Sequence, residues 1–128
     1  MKLLLDTCTF LWIITDARQL THRVREAFAD PDNEVFLSAV SAWEITVKQD
    51  LGKLPLPRAA AAFVPEERAR HAIVPLPLSE TEALAVSKLP QLHRDPFDRM
   101  LICQAVMGGL TLVTPDPLVT QYPIATLW

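Results

Sequence analysis

Four carboxylates occupy places where an ionised side chain is costly, and their types define a chemistry. Asp6 ends the run Lys2-Leu3-Leu4-Leu5-Asp6-Thr7, which reads as a short buried strand. Ligands of open parallel sheets collect outside the carboxyl ends of strands, so Asp6 is expected at such an edge. Asp116 follows a second apolar run, residues 110–114, in the same manner. Glu44 falls in the apolar stripe of a helix predicted over residues 39–51, beside Val40, Val47 and Leu51. Asp98 stands three and four residues before Leu101 and Ile102, on the inward face of a helix opened by Pro96. A carboxylate facing a core is expensive unless it is paired or neutralised.

If the four converge, they repel. Two unit charges 4 Å apart cost about 4 kcal/mol at an effective dielectric of 20. Protons or a cation must relieve that. The motifs offer oxygen atoms without histidine or thiolate, a donor set suited to Mg²⁺ or Mn²⁺. A cation so held can activate water and stabilise charge on a phosphodiester during in-line attack.

Each acid also has a local explanation. Asp6 could cap a helix beginning at Thr7-Cys8-Thr9. Glu44 could close a capping box on Ser41. Asp95 precedes Pro96, the favoured first helical residue, so capping is its default role, with support of the metal-holding acids from behind as the alternative. Asp116 lies between two prolines, where a turn is expected. Asp98 could be a first-turn acid favoured by the helix dipole. One shared site, by contrast, explains both inward-facing acids, Glu44 and Asp98, at once.

The elements that must carry these residues alternate along the chain. Strands are predicted at residues 2–5, 34–38, 72–76, 110–114 and 123–127. Helices are predicted at 10–14, 21–29, 39–51, 58–64 with a restart at 66–71 after Pro65, 79–88 and 95–108. Ser79 and Glu82 have capping-box spacing, and Pro75 argues for an edge strand. Alternating strands and helices imply a parallel sheet covered on both faces. The 128 residues fit a single domain, 1–128, and half of them are hydrophobic. No window approaches the roughly 20 apolar residues of a membrane span. No signal-peptide pattern opens the chain, so the cytoplasm is the expected location. The net charge of −3 does not advertise a nucleic-acid surface, but a divalent ion can invert the local field. The two cysteines, Cys8 and Cys103, form no metal or redox motif and are expected as free buried thiols.

The motifs resemble those of the PIN-domain family, specifically the VapC-type ribonuclease toxins of bacterial toxin–antitoxin pairs. The matching segments are Leu3-Leu4-Leu5-Asp6-Thr7, Ser38-Ala39-Val40-Ser41-Ala42-Trp43-Glu44-Ile45, His93-Arg94-Asp95-Pro96-Phe97-Asp98-Arg99-Met100-Leu101-Ile102 and Thr114-Pro115-Asp116. The resemblance implies a three-layer α/β/α fold with a parallel sheet of about five strands. It implies RNA cleavage dependent on Mg²⁺ or Mn²⁺, with Asp6, Glu44 and Asp98 as core acids, Asp116 as the fourth, and Asp95 as a less direct metal residue. Thr114 matches a hydroxyl position that orients the acids. It also implies a homodimer and a cognate antitoxin that covers the acidic groove. Arg94, Arg99 and Lys48 are then candidates to meet RNA phosphates, with plain surface charge as the alternative. Trp12 and Trp43 could stack on bases or an antitoxin helix, or serve the core. His93 is either a loop residue or a general base.

Three rivals are weaker. An aspartate-nucleophile phosphatase would carry a second acid two residues after Asp6, where Cys8 stands. A phospho-acceptor receiver would need an aspartate after the mid-chain strand and a late lysine. Ser38 occupies the first position, and no lysine follows Lys88. A catalytically silent PIN-like binding module shares every motif and is separated only by assay.

Overall fold

The computed structural model describes residues 1–128. Five strands form one sheet in the order β3-β2-β1-β4-β5, and every adjacent pair is parallel. They are β1 (Lys2–Leu5), β2 (Glu34–Ser38), β3 (Val74–Leu76), β4 (Thr111–Val113) and β5 (Thr126–Leu127). The helices are α1 (Thr7–Thr15), α2 (His22–Ala29), α3 (Ala39–Asp50), α4 (Ala60–Arg70), α5 (Glu80–Ala85), α6 (Pro96–Gly108) and α7 (Pro117–Thr120), with a 3₁₀ turn at Val86–Lys88.

The sheet is buried on both faces because side chains alternate along each strand. Leu3, Leu5, Val35, Leu37 and Val113 join Phe10, Ile13, Val24, Phe63 and Val64 in one core. Leu4 and Leu112 point the other way, into a second core with Leu101, Ile102, Ala105 and Val119. Helix α3 serves both layers, through Ile45 in the first and Val40 in the second. This is the expected three-layer α/β/α architecture.

Parallel register fixes what stands at the top of the sheet. Leu5 is level with Leu37 on β2 and with Val113 on β4. The next residues, Asp6, Ser38 and Thr114, therefore emerge together at the carboxyl edge. The Asp6 amide donates to the Val113 carbonyl at 3.2 Å and ties the two ends.

Four local expectations are corrected. Helix α1 begins at Thr7, directly after the strand, instead of at residue 10. Helix α4 runs through Pro65 without a restart. Both Pro65 and Ala61, whose carbonyl loses its partner, lie on the exposed side of the helix, where solvent can satisfy the orphaned carbonyl. The final proline-bounded turn continues into α7. Arg99, a candidate surface cation, is buried beneath the loop preceding α6. The proline-bearing β3 does take an edge, and Ser79 with Glu82 does form a capping box.

Candidate functional site

The carboxyl edge of the sheet opens into a cleft of about 470 Å³. Asp6, Glu44, Asp95, Asp98 and Asp116 all line it, with Thr7, Cys8, Trp12, Lys48, Pro115 and Pro117. All five acids singled out in the sequence thus share one concavity, although 110 positions separate the first from the last in the numbering. Lys48 is the single cationic side chain in that lining.

Three of the acids are fixed by capping. Asp6 is the N-cap of α1 and accepts from the Thr9 amide at 2.7 Å. Asp95 caps α6 through the Phe97 and Asp98 amides, at 2.8 and 3.1 Å. Asp116 caps α7 through the Leu118 amide at 2.9 Å. Capping and site membership coincide here. Each cap uses one carboxylate oxygen, Oδ1, and leaves the second outside that bond.

Glu44 is placed differently. The N-cap of α3 is Ser38, whose hydroxyl accepts from the Val40 amide. The alternative capping box on Ser41 does not form. Ser41 is instead fully buried, 3.0 Å from the Thr7 hydroxyl, and Thr7 donates to Glu44 Oε1 at 2.6 Å. Lys48, one turn along, pairs with Glu44 Oε2. Glu44 is only 5% exposed, so these two partners are what make its charge tolerable.

Asp98 projects from the first turn of α6. His93 Nε2 lies 2.8 Å from its Oδ2. Burial raises the Asp98 carboxyl to about 6, helped by the charges of Asp95 and Glu44, while His93 opposes the shift. Asp6 is also raised, chiefly by burial and slightly by Glu44, against hydrogen bonds from the Thr114 and Thr9 side chains. Thr114 is fully buried and its hydroxyl accepts from the Asp116 amide at 3.1 Å. The Thr114 side chain thus touches both Asp6 and the backbone of Asp116.

Several expectations for the surroundings change. Cys8 is exposed at the cleft, not buried, whereas Cys103 is buried. Trp43 is 59% exposed and packs edge-on against Phe97, ring centres 4.9 Å apart, so it is not a core residue. Trp12 is half-buried against Trp128. Leu51, placed in the apolar stripe of α3, is exposed. Arg94 is exposed, and Arg99 is spent on the Pro90 and Val86 carbonyls and the Tyr122 hydroxyl.

The residue underweighted by the sequence is His93. Its ring nitrogen and one oxygen each from Asp98 and Asp116 lie within 4.8 Å of one another. The usable signal was its place five residues before Asp98, with a tight helix start between them.

The donor set fits a hard divalent cation. Five carboxyl groups face one ammonium, and burial holds two of the acids above their ordinary range. That is an arrangement a bound cation relieves.

A family model described as the PIN domain matches residues 3–123. Over 60 residues the chain is 40% identical to Ribonuclease VapC16 of Mycobacterium tuberculosis (strain ATCC 25618 / H37Rv), a match spanning 47% of this chain and 43% of that protein. The fold is shared with VapBC2 from Rickettsia felis, solved bound to a DNA fragment from their promoter. That likeness has a TM-score of 0.74 and 14% identity over 100% of this chain and 99% of that one. It is shared too with DNA-bound VapBC from Salmonella typhimurium, with a TM-score of 0.71 and 21% identity over 99% and 97% of the two chains. No helix is long and apolar enough to cross a membrane.

Proposed function

The chain belongs to the PIN-domain family, and from that premise we propose that it is a divalent-metal-dependent endoribonuclease, the toxin of a toxin–antitoxin pair. The observation that carries this reading is the gathering of Asp6, Glu44, Asp95, Asp98 and Asp116 in one cleft at the carboxyl edge of a parallel sheet. The partial likeness to a protein named as a ribonuclease supports the reaction. The VapBC names of the solved relatives support a cognate antitoxin.

Asp6, Glu44, Asp98 and Asp116 would hold Mg²⁺ or Mn²⁺, with Asp95 close by. The cation would supply an activated water and stabilise charge on the phosphate being attacked. The protein's own groups set the geometry. Thr7 orients Glu44, and the three helix caps fix Asp6, Asp95 and Asp116. Lys48 adds positive charge beside Glu44, where a phosphate must approach. Arg94 stands exposed next to the acidic motif and can meet the RNA backbone. Asp98 must be deprotonated to serve as a ligand, so cation affinity rises with pH through about 6. A second copy of the chain and an antitoxin segment over the groove complete the assembly in this reading.

The test is cleavage of total RNA by purified, antitoxin-free protein, with Mg²⁺, with Mn²⁺ and after chelation. Discrete products are expected only with the cation and are expected to fall at least 100-fold in Asp6→Ala. Equal cutting by both proteins overturns the assignment. Cation binding with no cutting of any RNA identifies the silent binding module instead.

A further inference from the structure

His93 is held in place by more structure than a loop residue requires. Its amide donates to the Tyr122 hydroxyl at 3.0 Å, and that hydroxyl donates to the Pro90 carbonyl at 3.0 Å. The Arg99 guanidinium reaches the Pro90 carbonyl at 2.9 Å, the Tyr122 hydroxyl at 3.0 Å and the Val86 carbonyl at 3.1 Å. Arg99 is 8% exposed and Tyr122 2%. A buried guanidinium bonded only to neutral oxygens is a costly device. Here it fixes the path of the chain from Val86 to His93, and that path delivers an imidazole to Asp98.

We infer that His93 is a nitrogen ligand on the Asp98–Asp116 side of the cleft and makes the site prefer Mn²⁺ to Mg²⁺. The inference rests on the reading of the cleft as a divalent-cation site, and it adds a donor of a different kind to the carboxylates. The geometry is suitable. Ligands around an octahedral ion with bonds of about 2.1 Å lie about 3 Å apart when adjacent and about 4 Å apart when opposite. His93 Nε2 and Asp98 Oδ2 are 2.8 Å apart, and the set with Asp116 falls within 4.8 Å. Three donors from two separate segments, residues 93–98 and residue 116, thus lie close enough to share one cation after small side-chain adjustments. The imidazole side chain is 11% exposed and that of Asp98 20%, so both are sheltered without being sealed.

The donor chemistry sets the selectivity. Mg²⁺ takes oxygen ligands and gives up its waters reluctantly, while an imidazole nitrogen binds first-row transition ions, Mn²⁺ included, more readily than it binds Mg²⁺. In the cation-free chain the imidazole and Asp98 hold each other through that hydrogen bond, and a cation between them would take both atoms as donors. As a ligand, its Nε2 must be free of a proton when the cation is bound, with Nδ1 carrying the hydrogen.

The test is pulsed electron paramagnetic resonance of chelator-stripped full chain loaded with Mn²⁺ alone. Nitrogen modulation is expected in the wild type. It should change to the ¹⁵N pattern when histidine is ¹⁵N-labelled, a protein that folds identically. It should vanish in His93→Gln, whose Mn²⁺-over-Mg²⁺ affinity ratio should drop about tenfold or more. Bound Mn²⁺ without nitrogen coupling, or an unchanged ratio in His93→Gln, overturns the role of His93 and leaves the nuclease reading standing. Failure of the wild type to bind Mn²⁺ overturns both.

Discussion

Asp98 keeps its proton to about pH 6 because it is drawn into the cleft wall beside Asp95 and Glu44. The sign of its contribution to stability follows. Between about pH 4 and 6 the folded chain holds a proton that the unfolded chain has released, so stability falls as pH rises through that window. Asp6 is shifted the same way. Urea unfolding of the metal-free protein should therefore show a lower midpoint at pH 7 than at pH 5, and Asp98→Asn should flatten the slope. A midpoint that climbs with pH would contradict this. Thr7 matters through geometry, since its hydroxyl donates to the buried Glu44 carboxylate at 2.6 Å. Thr7→Val preserves shape but strips the donor. It should cost about 1–3 kcal/mol in unfolding free energy, and RNA cutting should drop about 10- to 100-fold, as for loss of an outer-shell partner. The acids themselves were legible in the sequence, since each broke an apolar pattern or followed one. Thr7 and Ser41 were not, because small hydroxyl residues near a helix start look alike whether they cap, pack or hold a carboxylate.

Elements were most legible where local chemistry decides them. The Ser79–Glu82 box and the Gly109 stop both stand where the spacing put them. Gly109 has φ +64, and no atom lies within 4 Å of the place an alanine Cβ would take there. Gly109→Ala should thus cost only the backbone strain, about 1–2 kcal/mol by thermal unfolding, with RNA cutting at saturating Mn²⁺ unchanged. Other features were settled by surroundings. Ser38 outcompetes Ser41 as the cap of α3 because the strand passes into the helix with no loop, and its hydroxyl also reaches the buried Gln104 amide. Helix α4 tolerates Pro65 because the damaged side faces water. Helix α7, four residues long, has too little periodicity to be seen in advance.

At the scale of the molecule, the sheet order decides everything that converges. With β1 central and β4 beside it, Asp6 and Asp116 become neighbours. α3 and α6 then bring Glu44 and Asp98 in from either flank. Any cation held there binds the folded chain alone. Mn²⁺ at 100 times its dissociation constant should add about 2.7 kcal/mol of stability, and Asp6→Asn should abolish the increment. Which acids meet could be read in advance from strand ends and helix stripes. The hold on His93 could not, since Arg99, Tyr122 and Pro90 are joined only by the finished tertiary structure.

The open position of Cys8 has a practical outcome. Its sulfur is accessible, yet partial burial and the surrounding Asp6, Glu44 and Asp98 push the thiol above its usual range, with Lys48 opposing weakly. An aromatic disulfide reagent should consequently react with it slowly in chelated protein, as thiolate is scarce. Neutralising the acids should lift their share of that brake, leaving the part due to burial, so a rise in the speed of colour development reports filling of the cleft.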